Sequence, residues 1–361
     1  MRIDWFKEIC AETDYLLIGR VLRMCKKEKY FAKEIPSLFV VASPFQVLCA
    51  FEAIKKFKIK EYSIVAVFEK NDPRNDQLVS VLDFLKLDYS RLDRSNHSLL
   101  HELLDFRNWF GCRKGGKVKR AFVGYFRDFS CILLALGFLG RNSTIVYLDD
   151  GNASIAHLNG TSKFNKKEKL CIFILKAICL FRKINMGPAY FTIYSDIPTK
   201  IPCESNLLEF LGKDCSPKKE GVYFIGTNPT VYSSTQGFSL KQYFSLLDRA
   251  LGELKNEFPS ASLYYVYHGR DKFVEETNQV LKRYGYQSLK PKENVELYFV
   301  QQRINPIMVS GFMSTALYTI KKLRHDAQIG GFMIENNMAY IDKFDYYKRH
   351  GIEIRLLKLD G

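Results

Sequence analysis

The stretch STIVYLDDGNAS, Ser143 to Ser154, decides how the rest of the chain is read. Its β-branched and aromatic run, Thr144 to Leu148, has the composition of a buried strand. The run ends abruptly in two carboxylates and a glycine, Asp149, Asp150 and Gly151. In an open α/β sheet, ligands and chemistry gather just past the carboxyl ends of the strands. Adjacent carboxylates at such an end suit a structural turn, a metal or a catalytic base. On this segment alone a plain turn is as good a reading as a functional one, because Asp-Gly is a common turn dipeptide.

Working outward, strands and helices alternate on both sides of this stretch. Upstream, LFVVAS from Leu38 reads as a strand running into Pro44, a residue suited to a helix's first turn. The helix Phe45 to Lys58 puts Val47, Ala50, Phe51 and Ile54 on one face. A strand at Tyr62 to Phe68, a helix at Asp76 to Leu87 and a strand at Arg120 to Tyr125 follow, then an apolar helix from Phe129. Downstream, Ile184 to Lys219 is rich in Pro, Gly and Ser and carries little periodicity, so a linker is expected near its end. A second alternating set then begins. It comprises strand Gly221 to Gly226, helix Ser239 to Phe258, strand Ser262 to Tyr267, helix Lys272 to Tyr284, helix Val295 to Gln302, a strand at Ile307 to Val309 and helix Ala316 to Leu323. Alternation of this kind predicts parallel, doubly wound α/β sheets. The division expected is a Rossmann-like half over residues 1–215, with 1–35 as a helical extension, and a second over residues 216–361.

Composition narrows the function classes. The chain has 361 residues, enough for two domains, and 47% are hydrophobic, which excludes a disordered protein. The formal net charge of +15 points to an anionic partner: nucleotide, nucleic acid or membrane surface. Nine scattered cysteines without CxxC spacing fit a reducing cytosol better than a disulfide framework or a zinc site. No signal peptide is evident, and the longest apolar runs fall short of the roughly 20 residues that span a bilayer. One segment is ambiguous. KFNKKEKLCIFILKAICLFRK, Lys163 to Lys183, is an apolar core between basic flanks. Because apolar residues surround it, a buried helix is expected, with an interfacial helix on anionic lipid as the alternative.

Further polar residues fall at strand ends and helix starts. His268 and Arg270 follow the strand Ser262 to Tyr267, where they suit a phosphate; a lone strand-end His is more often a surface turn residue. Ser314 and Thr315 stand where a strand turns into a helix, a ready anion site, although taken alone a plain helix cap is the better explanation. Glu296, in ENVELYF, suits a pair of ribose hydroxyls or an ordinary exposed face.

Taken in order, these segments resemble the bacterial sialyltransferases of glycosyltransferase family 52 and the related polysialyltransferase-type capsule enzymes. The likeness runs from about Leu38 to Leu323. SPFQVLCAFEAI is similar to the opening strand and helix with its Thr/Ser-Pro-x-Gln pattern, and GYFRD, Gly124 to Asp128, to the segment before the acidic strand. LDDGNAS resembles the acidic motif, YHGRD the His-Pro motif, and SGFMSTAL the serine/threonine motif. In one departure the histidine is followed by Gly269 where the family has proline.

The resemblance implies a GT-B architecture, two Rossmann-like domains facing a central cleft. It implies an inverting transfer of sialic acid from CMP-sialic acid to a hydroxyl of a bacterial surface glycan, such as a lipooligosaccharide, O-antigen or capsule. Asp149, or else Asp150, would be the general base, with the first acidic residue favoured. His268 would act on the departing phosphate, Ser314 and Thr315 would hold its oxygens, and Gly151, Arg270 and Glu296 would complete substrate binding. No cofactor is implied, and CMP's single phosphate requires no divalent metal. The expected setting is cytoplasmic, peripheral at the inner face of the membrane, with a lipid-linked acceptor and a possible homodimer. Two other readings stay open: a same-fold glycosyltransferase using another nucleotide sugar, and a nucleic-acid-binding protein. The dispersed basic residues and the lack of a recognition motif make the last weakest.

Overall fold

The computed structural model describes residues 28–94, 118–212, 220–335 and 341–359. The expected helical extension, 1–35, lies mostly outside the described residues, as does the boundary at 215/216.

The first sheet has seven strands: β1 (Ser37–Val41), β2 (Tyr62–Glu69), β3 (Ser90–Arg94), β4 (Val118–Val123), β5 (Leu139–Tyr147), β6 (Tyr190–Thr192) and β7 (Cys203–Ser205). Their order is β3-β2-β1-β4-β5-β6-β7, and every pairing is parallel. The second has six: β8 (Val222–Ile225), β9 (Leu263–Val266), β10 (Gln287–Leu289), β11 (Met308–Phe312), β12 (Gln328–Ile334) and β13 (Glu353–Leu357). Their order is β10-β9-β8-β11-β12-β13, again wholly parallel. Strand order therefore reverses between β1 and β4 and between β8 and β11. A crevice opens beyond the carboxyl ends of the strands at such a reversal.

The helices before β8 are α1 (Glu28–Phe31), α2 (Pro44–Lys56), α3 (Arg74–Phe84), α4 (Phe129–Phe138), α5 (Ala153–Leu158), α6 (Lys166–Arg182) and α7 (Glu209–Gly212). Those after it are α8 (Pro229–Gln236), α9 (Leu240–Glu257), α10 (Val274–Tyr284), α11 (Val295–Gln301), α12 (Thr315–Leu323) and α13 (Ile341–Arg349). Buried runs such as Leu38 to Val41 and Ile64 to Phe68 explain why these segments read as unbroken apolar strands. Both sheet faces are covered by helices, so alternation is lost.

Within the low-periodicity segment Ile184 to Lys219, β6 and β7 form the last two strands of the first sheet, and the linker expected near its end falls outside the described residues. At three residues each, they are too short to show a pattern. β3, β10, β12, β13, α8 and α13 are likewise additions to the sequence reading. The segment Lys163 to Lys183 is a helix, but not a buried one. Only Leu175 and Cys179 of α6 are buried, whereas Leu170, Phe173, Ile174, Leu180 and Phe181 are exposed. The helix packs on α4 by one face, and Arg182 ties its end to the carbonyls of Leu136 and Leu139.

The halves also meet at the back through tyrosines. Tyr194, after β6, stacks on Tyr318 of α12 with ring centroids 5.3 Å apart. Tyr346 of α13 donates to Asp196 Oδ1 at 2.6 Å. Helix α13 thus belongs by sequence to the second sheet but packs against α5 of the first.

Candidate functional site

The acidic turn forms because β5 ends on a residue the fold must satisfy internally. Asp149 is 0% exposed. Its Oδ1 accepts from Thr192 Oγ1 and its Oδ2 from the Ile193 N–H, both at 2.7 Å. Burial pushes its carboxyl up to about 6, against the opposing pull of Ile193, Thr192 and Ser154. Its oxygens are engaged in joining β5 to the end of β6.

Asp150 is only partly buried, and it points elsewhere. Its Oδ1 accepts from Gln46 Nε2 at 2.7 Å. Burial raises its carboxyl above the usual range, while the Gln46 bond and the charges of Arg74 and Arg270 oppose the rise. Gln46 sits in the first turn of α2, which Ser43 caps by accepting from the Gln46 N–H. Gly124, just past β4, leaves room for this side chain: a Cβ there would lie 1.9 Å from Gln46 Oε1. Ser43, Pro44, Gln46, Gly124 and Asp150 are therefore one cluster built from the ends of β1, β4 and β5.

Gly151 carries the turn into the second half. Its φ of 71° is a left-handed conformation that favours glycine. A Cβ here would also come 2.7 Å from Thr315 Oγ1. The acidic turn thus lies directly against the start of α12. Ser314 caps that helix, its hydroxyl accepting from the Ala316 N–H at 3.3 Å. The Tyr347 hydroxyl bridges the two halves, 2.7 Å from Asn152 Oδ1 and 3.0 Å from the Ser314 carbonyl.

His268 and Arg270 follow β9 on the facing side. The His268 Nδ1 accepts from the Arg270 N–H at 3.1 Å, which leaves the proton of a neutral ring on Nε2. Burial, with Arg74 and Arg270 nearby, pushes the imidazole down to about 4. Arg270 reaches across to the first half, where its Nε lies 3.1 Å from Asp72 Oδ1 and its Nη2 also bonds Asp72. Burial would raise the Asp72 carboxyl, but hydrogen bonds from Arg270 and Arg74 outweigh it and hold it far below its ordinary value. Gly269 lies against α3, where a Cβ would sit 2.7 Å from Oε1 at the tip of the Gln77 side chain.

Glu296 is placed differently from the others. It is buried, its Oε1 accepting from Thr319 at 2.8 Å and its Oε2 from Asn294 at 2.7 Å. Burial raises its carboxyl. Thr319 lies one turn below Thr315 in α12, so Glu296 braces that helix from behind. The structure brings Asp150, Gly151, Ser314 and Thr315 into one contact zone and His268 with Arg270 into another. Both zones lie at contacts between the two halves. Gln46, Asp72 and Arg74 were not among the residues singled out from sequence. Gln46 stood in a quoted motif, but nothing local marks the carboxylate it serves 104 positions away. Among the described residues, no three His, Cys, Asp or Glu side chains gather as a metal set.

Two all-parallel sheets with facing strand ends and a C-terminal helix returning to the first half define a GT-B fold. Solved structures share it. A UDP-N-acetylglucosamine 2-epimerase superimposes with a TM-score of 0.52 at 11% identity, over 91% of this chain and 84% of its own. A Listeria monocytogenes protein described as the same kind of epimerase gives 0.51 at 9%, over 91% and 85%. A glycosyltransferase from Rickettsia africae gives 0.49 at 12%, over 88% and 89%. No protein-family model matches the sequence. No curated protein matches it either.

Proposed function

We propose that this protein is an inverting glycosyltransferase that moves sialic acid from CMP-sialic acid to a hydroxyl of a bacterial surface glycan. The observation that carries the reading is the contact of the Asp149–Gly151 turn with the N-terminus of α12. It sets a partly exposed carboxylate beside an anion-binding helix start.

Asp150 is the better base of the pair. Both oxygens of Asp149 are taken up inside the protein, whereas Asp150 is partly exposed and has only one oxygen on Gln46. A carboxylate in reach of an acceptor hydroxyl takes its proton as the C–O bond forms. Attack opposite the departing nucleotide inverts the anomeric centre in one displacement. The Ser314 hydroxyl and Thr315, at the start of α12, would receive the phosphate oxygens. Neutral His268 donates from Nε2, and Arg270 adds charge. Glu296 would bind ribose hydroxyls through Oε2 by giving up Asn294. The acceptor is a lipid-linked glycan reached from the inner face of the cytoplasmic membrane.

A second reading keeps the site but changes the donor. Two solved structures that superimpose above a TM-score of 0.5 are described as UDP-N-acetylglucosamine 2-epimerases, so a uridine nucleotide sugar is the alternative donor to test. Thermal shift with CMP, UDP, GDP and oligonucleotides separates the alternatives. Selective stabilisation by CMP supports the sialyltransferase, and stabilisation by UDP or GDP alone replaces it with another nucleotide-sugar enzyme. Oligonucleotides alone raising the Tm would end both.

A further inference from the structure

Helix α6 keeps far more apolar surface in water than its packing requires. Phe181 is 87% exposed, Leu180 80%, Phe173 62%, Leu170 59% and Ile174 47%. At 100° per residue these five fall within one stripe about 120° wide. The opposite side, carrying Leu175 and Cys179, faces the protein. Lysines border the stripe: Lys167 along one edge, Lys169 and Lys176 along the other, with Lys166 and Lys183 at the two ends. A contiguous exposed apolar patch rimmed by polar residues marks an interaction surface.

We infer that α6 is a membrane-docking helix, lying in the plane of an anionic bilayer with Phe173, Leu180 and Phe181 in the acyl boundary and its lysines among the headgroups. The charge pattern selects this occupant. An apolar stripe with lysine borders has the form of an interfacial helix, whose lysine stems run along the apolar layer while the ammonium groups reach the anionic headgroups. Two copies meeting by this face would bring like charges together along both edges. The helix is also too short and too charged to cross the bilayer, and no helix among the described residues qualifies as a span.

The position of α6 fits the reaction side. Its first turn is fixed by the capping box of Asn165 and Glu168, and Glu168 pairs with Arg127 at 3.5 Å. Arg127 also donates to the Lys163 carbonyl at 2.9 Å. It belongs to the segment following β4, beside Tyr125, which feels the Asp150 charge. A docked α6 would therefore hold the Asp150 side of the cleft near the membrane. That consequence rests on the lipid-linked acceptor proposed above, but the docking itself needs neither donor nor transfer.

The test is co-sedimentation of the full chain with extruded vesicles of phosphatidylcholine alone and of an equimolar mixture with phosphatidylglycerol. Binding is expected to the mixed vesicles, weakening as salt screens the lysines. The triple variant Phe173→Ser, Leu180→Ser, Phe181→Ser removes exposed side chains and should fold, with vesicle affinity about tenfold or more lower. Circular dichroism and Tm check the fold, and Lys167→Glu with Lys169→Glu should weaken binding on a second, independent axis. Unchanged binding in the triple variant, or no binding of the natural chain at low salt, overturns the inference. So does a concentration-dependent dimer in sedimentation velocity that the triple variant abolishes, which would assign the face to a second copy. A protein that docks but ignores CMP would leave this inference standing and remove the sialyltransferase reading.

Discussion

Gln46 and Asp150 are joined across the point where the first sheet reverses its strand order. The carboxamide Nε2 donates to Asp150 Oδ1 at 2.7 Å, while its Oε1 accepts the Ala42 N–H at 2.7 Å. One side chain thus satisfies the end of β1 and aims the carboxylate that follows β5. Asp150 is left with one oxygen for the cleft.

This link predicts a positioning role. Gln46→Leu keeps the volume but removes both bonds, and a lost hydrogen bond to a charged group costs about 1.5–3 kcal/mol. Transfer should fall by about 10–100-fold with donor affinity nearly unchanged, since Gln46 does not meet the phosphate side. Steady-state kinetics beside CMP titration will show it. Equal losses in both would instead mean a general loosening of the cleft.

The two aspartates are expected to separate by phenotype. Asp150→Asn should lower transfer by about 10²–10⁴-fold, the range for removing a general base, with little change in Tm. Asp149→Asn supplies one acceptor oxygen where two donors, Thr192 and Ile193, now point, so stability should drop by about 1–3 kcal/mol. Denaturant melts and transfer rates on both variants decide it. A stable, inactive Asp149→Asn protein would return the base to the first position.

Much of this arrangement was legible before the fold was seen, for a physical reason. Strands buried on both faces read as unbroken apolar runs, and polar residues that end them, such as Asp149, His268 and Ser314, stand out against that background. What stayed hidden depends on distance in space. The different partners of Asp149 and Asp150, Thr192 for one and Gln46 for the other, lie far away in sequence. Helix α6 was misread because apolar residues all around a helix usually mean burial, while here one side is left uncovered. β6 and β7 were missed because three residues carry no period.

His268 should be neutral at working pH. Its folded value of about 4 lies below the ordinary 6.5, so the folded state binds fewer protons in between. The stability it contributes is therefore full above about 6.5 and is lost as pH falls toward about 4. Nitrogen-15 NMR of the histidine ring should show the proton on Nε2 at pH 7, because Nδ1 accepts from Arg270. Adding CMP should move the titration upward, as a phosphate favours the charged ring. A ring already protonated at pH 7 without ligand would contradict the assignment.

The last prediction concerns the pair that spans the cleft. Arg270 offers Nε and Nη2 to Asp72, which leaves Nη1 and its two protons directed elsewhere. Asp72 is itself held by Arg74 at 3.0 Å, so the carboxylate is a fixed platform and Arg270 is the group it aims. If Nη1 meets the donor phosphate, Asp72→Ala should weaken CMP binding although Asp72 never touches it. The loss should be about tenfold, near the scale of one charge-assisted bond. Arg270→Ala should weaken it at least as much. The double variant should then be little worse than Arg270→Ala alone, because an arginine that is absent has no orientation to lose. Calorimetric CMP titrations on the four proteins close the cycle. Additive losses would mean that Asp72 and Arg270 act on CMP separately, and a gain in affinity from Asp72→Ala would mean that the pair competes with the phosphate.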